Sequence, residues 1–263
     1  MQTSERARMW KALRITTLLF VLLGVALGAW RDRRNSTDWI GPLVVAVYPI
    51  NADGSEAAER YLQALDVERF QPVAAFIAAQ GMRWQLPRTV PVDFRLAPRV
   101  HALPPPLPHS GNRLSVIIWS LRLRWWAWRH DTYTGQWKQV RLFLLYHDPA
   151  RSPQLAHSTG LQKGLLGVVN LFASPGMNAQ NNVVLAHELL HTVGATDKYD
   201  LSNGQPLHPD GFAEPAREPH YPQRYAEIMA GRVPVGPDEA EQAASLQRTV
   251  IGVKTAREIG RLR

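Results

Sequence analysis

The sequence predicts an α+β domain, and three observations carry that prediction. Apolar, β-branched runs of strand length recur along the first two thirds of the chain. One stretch of helical character carries His187-Glu188-Leu189-Leu190-His191. A final segment, Pro237 to Arg261, places Asp238, Glu239 and Glu241 at its start and Arg257 and Arg261 at its end, the charge order a helix dipole favours.

Leu43-Val44-Val45-Ala46-Val47-Tyr48 reads as a buried first strand, closed by a turn at Asn51 to Ser55. Glu56 to Gln80 has helical spacing, with Pro72 dividing it into two helices. Thr89 to Leu96 is a second strand, and the Pro-rich stretch Leu103 to Pro108 an extended surface loop. Leu114 to Trp128 begins as an apolar run and then alternates through Leu121, Arg122, Leu123, Arg124 and Trp125. That alternation predicts a half-exposed third strand, whose Trp119, Trp125, Trp126 and Trp128 suit a core, a membrane interface or a cleft wall. A turn at Asp131 to Gly135 then returns Val140 to His147 as the fourth strand of a hairpin, and Leu165 to Phe172 is a fifth. The motif helix spans about Asn181 to Val193, and Asp200 to Arg224 is a long irregular loop rich in Pro, Gly and His. His208 and His220 are read as loop residues, not ligands.

The N-terminus has a different character. Ile15 to Trp30 is apolar except for Thr16 and Thr17; Arg6, Arg8, Lys11 and Arg14 precede it, and Arg31, Arg33 and Arg34 follow. Trp10 and Trp30 would lie about 30 Å apart along a helix, as interfacial aromatics do. Residues 1–34 therefore read as a basic segment with one transmembrane helix, and residues 35–263 as one catalytic domain. The slight excess of Lys and Arg on the N-terminal side predicts that domain outside the cytoplasm. A cleavable signal peptide, with Ala26 and Gly28 as the small-residue site, is the alternative and would make the protein secreted.

Composition narrows the chemistry. The chain has no Cys, which excludes disulfides, thiolate catalysis and a Cys-ligated zinc. Its net charge of +8 invites a nucleic-acid reading. Much of that charge flanks the apolar segment and the rest is scattered, so a surface facing anionic lipid or cell wall accounts for it and no nucleic-acid partner is predicted.

The function rests on the motif. Residues four apart on a helix share a face, so His187 and His191 can reach one metal ion. Gly194 stands where a helix C-cap would, turning the chain so that Asp197 can approach the same ion; Asp200, three residues on, competes for that role. Two His and one carboxylate with an open position is a catalytic Zn2+ set, and Glu188 beside it can take the proton from the attacking water and pass it to a leaving amine. Tyr199 and Tyr225 are candidate donors to an oxyanion, with ordinary packing as the alternative.

His187, Glu188, His191, Gly194 and Asp197 resemble the zinc signature of the metzincin metallopeptidases, in the Asp-terminated form of the snapalysin-like branch. Ile228-Met229-Ala230-Gly231 resembles the tight Met-turn that those enzymes place beneath the metal, which implies a structural role for Met229. The resemblance implies a metzincin-like zincin domain: a mixed five-stranded sheet above the cleft, an active-site helix, and a C-terminal part ending in a helix. It implies a zinc endopeptidase acting on a peptide or protein substrate. The competing expectations are a non-catalytic zinc-stabilised binding domain at the cell envelope, against which Glu188 speaks because a structural site needs no base, and an envelope interaction module whose motif is accidental.

Overall fold

The computed structural model describes residues 9–20, 22–24, 26–27, 39, 41–84, 92–108, 112–135, 137–162 and 165–260. Residues 9–20 are helical. Among the described residues no helix is long and apolar enough to cross a membrane. The predicted flanks Arg6, Arg8, Trp30, Arg31, Arg33 and Arg34, and the small-residue position Gly28, lie outside the described residues.

The fold is mixed α/β around a five-stranded mixed sheet. Its strands are β1 (Leu43–Asn51), β2 (Val92–Leu96), β3 (Val140–His147), β4 (Thr159–Leu161) and β5 (Leu166–Phe172), in the order β2-β1-β3-β5-β4. Every neighbouring pair is parallel except β4 with β5. Between β1 and β2 come α1 (Glu56–Gln63) and α2 (Gln71–Arg83). Ser55 caps α1, its hydroxyl accepting from the Ala58 amide, and Pro72 sits in the first turn of α2, where its missing N–H costs nothing. The predicted division at Pro72 is thus real, with a short 3-10 turn at Val67–Phe70 between the helices.

The third predicted strand is a helix, α3 (Arg113–Arg129). Asn112 caps it by accepting from the Leu114 amide. Its buried residues, Trp119, Leu123, Trp126 and Ala127, follow a helical period; the short alternation at 121–125 hid that period because the outward face is apolar as well. The predicted hairpin fails with it. β3 lies parallel between β1 and β5, and the fifth sheet member is β4, which sequence reading passed over.

The chain moves one way along the sheet from β1 to β2 and the other way from β2 to β3. Right-handed crossovers then demand helices on opposite faces. Accordingly Val45 and Val47 of β1 pack with α1 and α2, whereas Ala46, Tyr48 and Ile50 pack with α3. Tyr48 stacks on Phe143 at 4.6 Å, and Trp126 meets Phe143 edge-on at 4.7 Å.

After β5 comes α4 (Asn178–Thr192), the motif helix, which packs on the α1–α2 face. The remainder is irregular, with β6 (Ala226–Glu227) beside β9 (Thr249–Val250), and β7 (Arg232–Pro234) beside β8 (Ala240–Gln242). The predicted helix over Pro237 to Arg261 shrinks to α5 (Val253–Glu258). Of its acidic start, Asp238 and Glu239 lie in the β7–β8 turn, where the Val235 and Gly236 amides donate to the Glu239 carbonyl, and Glu241 lies in β8 opposite Val233. The Trp39 indole N–H donates to the Ile259 carbonyl at 2.8 Å, tying the chain ahead of β1 to the end of α5.

Candidate metal centre

The motif helix is pinned before it reaches the motif. Asn181, buried, both accepts from the Phe172 amide (3.0 Å) and donates to the Phe172 carbonyl (2.8 Å), clamping α4 to the end of β5. Val183, Ala186, Leu190 and Val193 then turn into the core, leaving His187 and His191 on the flank that borders a cleft.

Gly194 ends the helix as predicted, at φ +109°, where a side chain would be strained and would strike Gln162. The Ala195 amide donates back to the Leu190 carbonyl and the Gly194 amide to the His191 carbonyl, a Schellman turn. This turn brings the Ala195 carbonyl onto the His191 ring, whose Nδ1–H donates to it at 2.8 Å. The His187 Nδ1–H donates to the Ile228 carbonyl at 3.0 Å. A carbonyl can only accept, so both protons sit on Nδ1 and both Nε2 lone pairs face the cleft.

There the two Nε2 atoms stand 3.0 Å apart, and Asp197 Oδ1 lies 3.2 Å from that of His187 and 3.1 Å from that of His191. With the protons on Nδ1, Asp197 Oδ1 is a buried oxygen without a hydrogen-bond donor. Three convergent lone-pair donors, two neutral nitrogens and a carboxylate oxygen, fit a zinc ion in chemistry and spacing. His187, His191 and Asp197 are the group of residues that could hold a metal ion among the described residues. Asp200 is not part of it: it stands half-buried at the head of a turn, accepting from the Ser202 amide and hydroxyl.

Burial alone would raise the Asp197 carboxyl, but the hydrogen bonds and positive charge that His187 and His191 offer it once a ring carries a proton on both nitrogens hold it well below the usual carboxylate range. Burial pulls His187 down, and Asp197 and Glu188 more than reverse that, leaving it raised. Glu188 is 6% exposed; burial pushes its carboxyl up, with His187 and His191 opposing, and among the described residues its Oε2 has no hydrogen-bond partner. Burial raises the Tyr199 hydroxyl too, reinforced by Asp197 and Glu188. Tyr225, by contrast, is exposed and borders neither hollow of the cleft.

Beneath the histidines runs the turn Glu227–Gly231. The Ala230 and Gly231 amides donate to the Glu227 carbonyl, Gly231 takes φ +69°, and Met229 is fully buried. Sequence reading singled out Met229 and missed its neighbour. Glu227 is fully buried, and its carboxylate accepts from the Met229 and Ala230 amides on one oxygen and from the Gly252 amide and Thr255 hydroxyl on the other. It welds the turn to the start of α5. A second buried group, Lys198, donates to the Thr196 carbonyl and hydroxyl and to Glu258, while Glu258 accepts from the Thr196 amide. That network holds the segment carrying Asp197 against α5. Lys198 and Glu227 stand in loop-like sequence and Glu258 inside the predicted last helix, and none of the three carries a sequence signal for either network.

The site opens on two adjoining hollows, of about 410 and about 740 Å³, which share His157, Ser158, His187, Glu188 and Tyr199. β4, the antiparallel edge strand, borders the smaller one through Thr159 and Gly160. Gly160 is there of necessity: a Cβ would lie 2.6 Å from both the Glu188 carbonyl and the His191 Cβ.

No family model matches the chain, and no curated protein matches it. Among solved structures, the chain is similar to wild-type OgpA from Akkermansia muciniphila, with 11% identity and a TM-score of 0.33, over 84% of this chain. The match spans 63% of the OgpA chain.

Proposed function

We propose that the protein is a zinc-dependent endopeptidase of metzincin-like design, with His187, His191 and Asp197 holding the metal and Glu188 as the general base. The observation that carries this reading is the convergence of both Nε2 atoms and Asp197 Oδ1 beside a buried Glu188 oxygen that has no hydrogen-bond partner among the described residues. A zinc held there would polarise a substrate carbonyl and acidify water at the open position. Glu188, its carboxyl raised by burial, is suited to accept a proton from the attacking water and return it to the departing amine. The Tyr199 hydroxyl, facing Asp197 and Glu188, is the group available to donate to the carbonyl oxygen as it gains charge. Met229 and its turn carry the Ile228 carbonyl that orients His187.

The substrate is an extended peptide. β4 is an edge strand bordering the cleft, so a peptide can lie along it as a further strand, its backbone held by main-chain hydrogen bonds. Arg232 is the one Lys or Arg among the described residues that line the larger hollow; its guanidinium carbon would lie 3.4 Å from a Cβ on Gly204, in space that glycine leaves free. It offers a positive charge to an acidic substrate side chain. A single-pass anchor at residues 1–34, placing the domain outside the cytoplasm, belongs to the same proposal.

The test is metal content together with cleavage of a denatured-protein library. The wild type should bind one zinc and cleave; Glu188→Gln should keep the zinc and lose about 10²–10⁴-fold in rate. Asp197→Ala should weaken zinc binding by more than the roughly 10–100-fold that loss of an outer partner causes. Zinc bound with cleavage absent, or cleavage indifferent to Glu188, would leave the zinc-stabilised binding domain as the better reading.

A further inference from the structure

α3 carries two apolar faces, and among the described residues only one is covered. The inward face, Trp119, Leu123, Trp126 and Ala127, packs on the sheet. Outward, Leu114, Ile117, Ile118, Leu121, Trp125 and Trp128 are all exposed, the last three at 61, 64 and 69%. At about 100° per residue these six fall within one arc of about 100°, centred opposite the buried face. Arg122 and Arg129 border that arc on one side, and Arg113 and Arg124 on the other. The helix contains no Asp or Glu.

We propose that α3 docks the domain on an anionic lipid surface, its outward stripe lying among the acyl chains and its arginines reaching the headgroups. The pattern is the one such a surface requires: an apolar arc, bordered on both sides by long cations whose stems can lie along it while their heads reach phosphate. Tryptophan at two of the exposed positions suits the same boundary, being apolar in body and polar at the ring N–H. Charge decides against a second copy of the chain, which would bring another net +8 to an arginine-bordered stripe. A bilayer also accepts the other exposed apolar helix, residues 9–20, on which Trp10, Leu13, Leu18 and Phe20 are all exposed. α3 lies on the sheet face opposite α4, so docking through it leaves the motif helix on the far face of the sheet. The proposal is independent of the peptidase reading.

The absence of Cys makes the test direct. Leu121→Cys, at an exposed position, is labelled on the full chain with an environment-sensitive fluorophore, and Glu56→Cys on α1 serves as the control. Vesicles of phosphatidylglycerol and phosphatidylcholine in equal parts should move the emission of the label at position 121 to the blue and make it quenchable by nitroxides on the lipid chains, while the label at position 56 stays solvent-like. Arg122→Gln and Arg129→Gln should each lower the docked-to-free ratio on the order of fivefold. A label at 121 that stays in water on these vesicles would overturn the proposal, even with the chain held by its N-terminal segment. So would an equal shift on pure phosphatidylcholine. A lipid-independent shift that grows with protein concentration would instead make α3 a contact between copies and equally overturn it.

Discussion

Replacing Glu227 by Gln tests how the turn beneath the histidines is held. The carboxylate accepts four hydrogen bonds, two on each oxygen, from the Met229, Ala230 and Gly252 amides and the Thr255 hydroxyl. A side-chain amide has one accepting end, and its NH2 is best turned toward Gly252 and Thr255, where the hydroxyl can rotate to accept and only the Gly252 amide is left opposed. A buried donor left without a partner costs about 1–3 kcal/mol, so the variant should lose about that much. With a urea slope of about 1–3 kcal/mol per molar for a small domain, that is a fall in the urea midpoint on the order of 1 M. The damage would reach a metal at the candidate site through one bond, because the Ile228 carbonyl that orients His187 sits between Glu227 and Met229. Outer partners of metal ligands are worth roughly 10–100-fold in affinity, and chelator competition should show a loss in that range. A variant with an unchanged urea midpoint and unchanged zinc affinity would refute the argument that Glu227 holds this turn.

Three other outcomes are expected. Gly160→Ala forces a Cβ to within 2.6 Å of the Glu188 carbonyl and the His191 Cβ; it should cost about 1–3 kcal/mol by thermal unfolding and reduce kcat/KM disproportionately, because β4 must withdraw from the cleft. Arg232→Ala should lower kcat/KM about 10–100-fold for peptides presenting an acidic side chain and leave neutral peptides little changed, which a paired peptide series would measure. Acid should loosen the segment carrying Asp197. Burial would raise the Glu258 carboxyl, but Lys198 and Thr196 outweigh it and leave its folded value below the ordinary 4.5. A depressed value means that this group's stabilisation is complete above pH 4.5 and is lost as pH falls through the folded value. Glu258→Gln should therefore flatten the acid side of the stability curve; an acid limb as steep as the wild type would count against it.

Much of the site was legible because its logic is local. His187, Glu188 and His191 lie within one turn of one helix, and Gly194 needs only a C-cap to announce itself, so spacing alone placed them. Asp197 followed from the direction in which the Gly194 turn sends the chain. What spacing could not reach is what comes from far along the chain. Glu227 and Glu258 act on Gly252 and Thr196 across tens of residues, and nothing in their neighbourhoods marks either as a partner of a distant segment. Gly160 is invisible for a different reason: its importance is the atom it lacks. The errors in the fold have the same origin. α3 was read as a strand because periodicity reports one buried face against one wet one, and α3 has apolar residues on both. Charge order makes the last segment look helical, whereas Ala240–Gln242 pairs with Arg232–Pro234, which places Asp238 and Glu239 in a turn and Glu241 in a strand.

The two carbonyls that orient the imidazoles sit at very different places in the chain. One, on Ala195, is present as soon as the helix closes; the other, on Ile228, arrives 41 residues after His187. During synthesis, a chain emerging as far as Asp197 would already carry all three candidate ligands, but without the Ile228 carbonyl the His187 ring could turn and offer either nitrogen. The turn at Glu227, fastened to Gly252 and Thr255, supplies that carbonyl. On the proposed function, tight metal capture would therefore wait until nearly the whole domain is made, and a chain truncated before Ile228 would hold an ion more loosely than the full one.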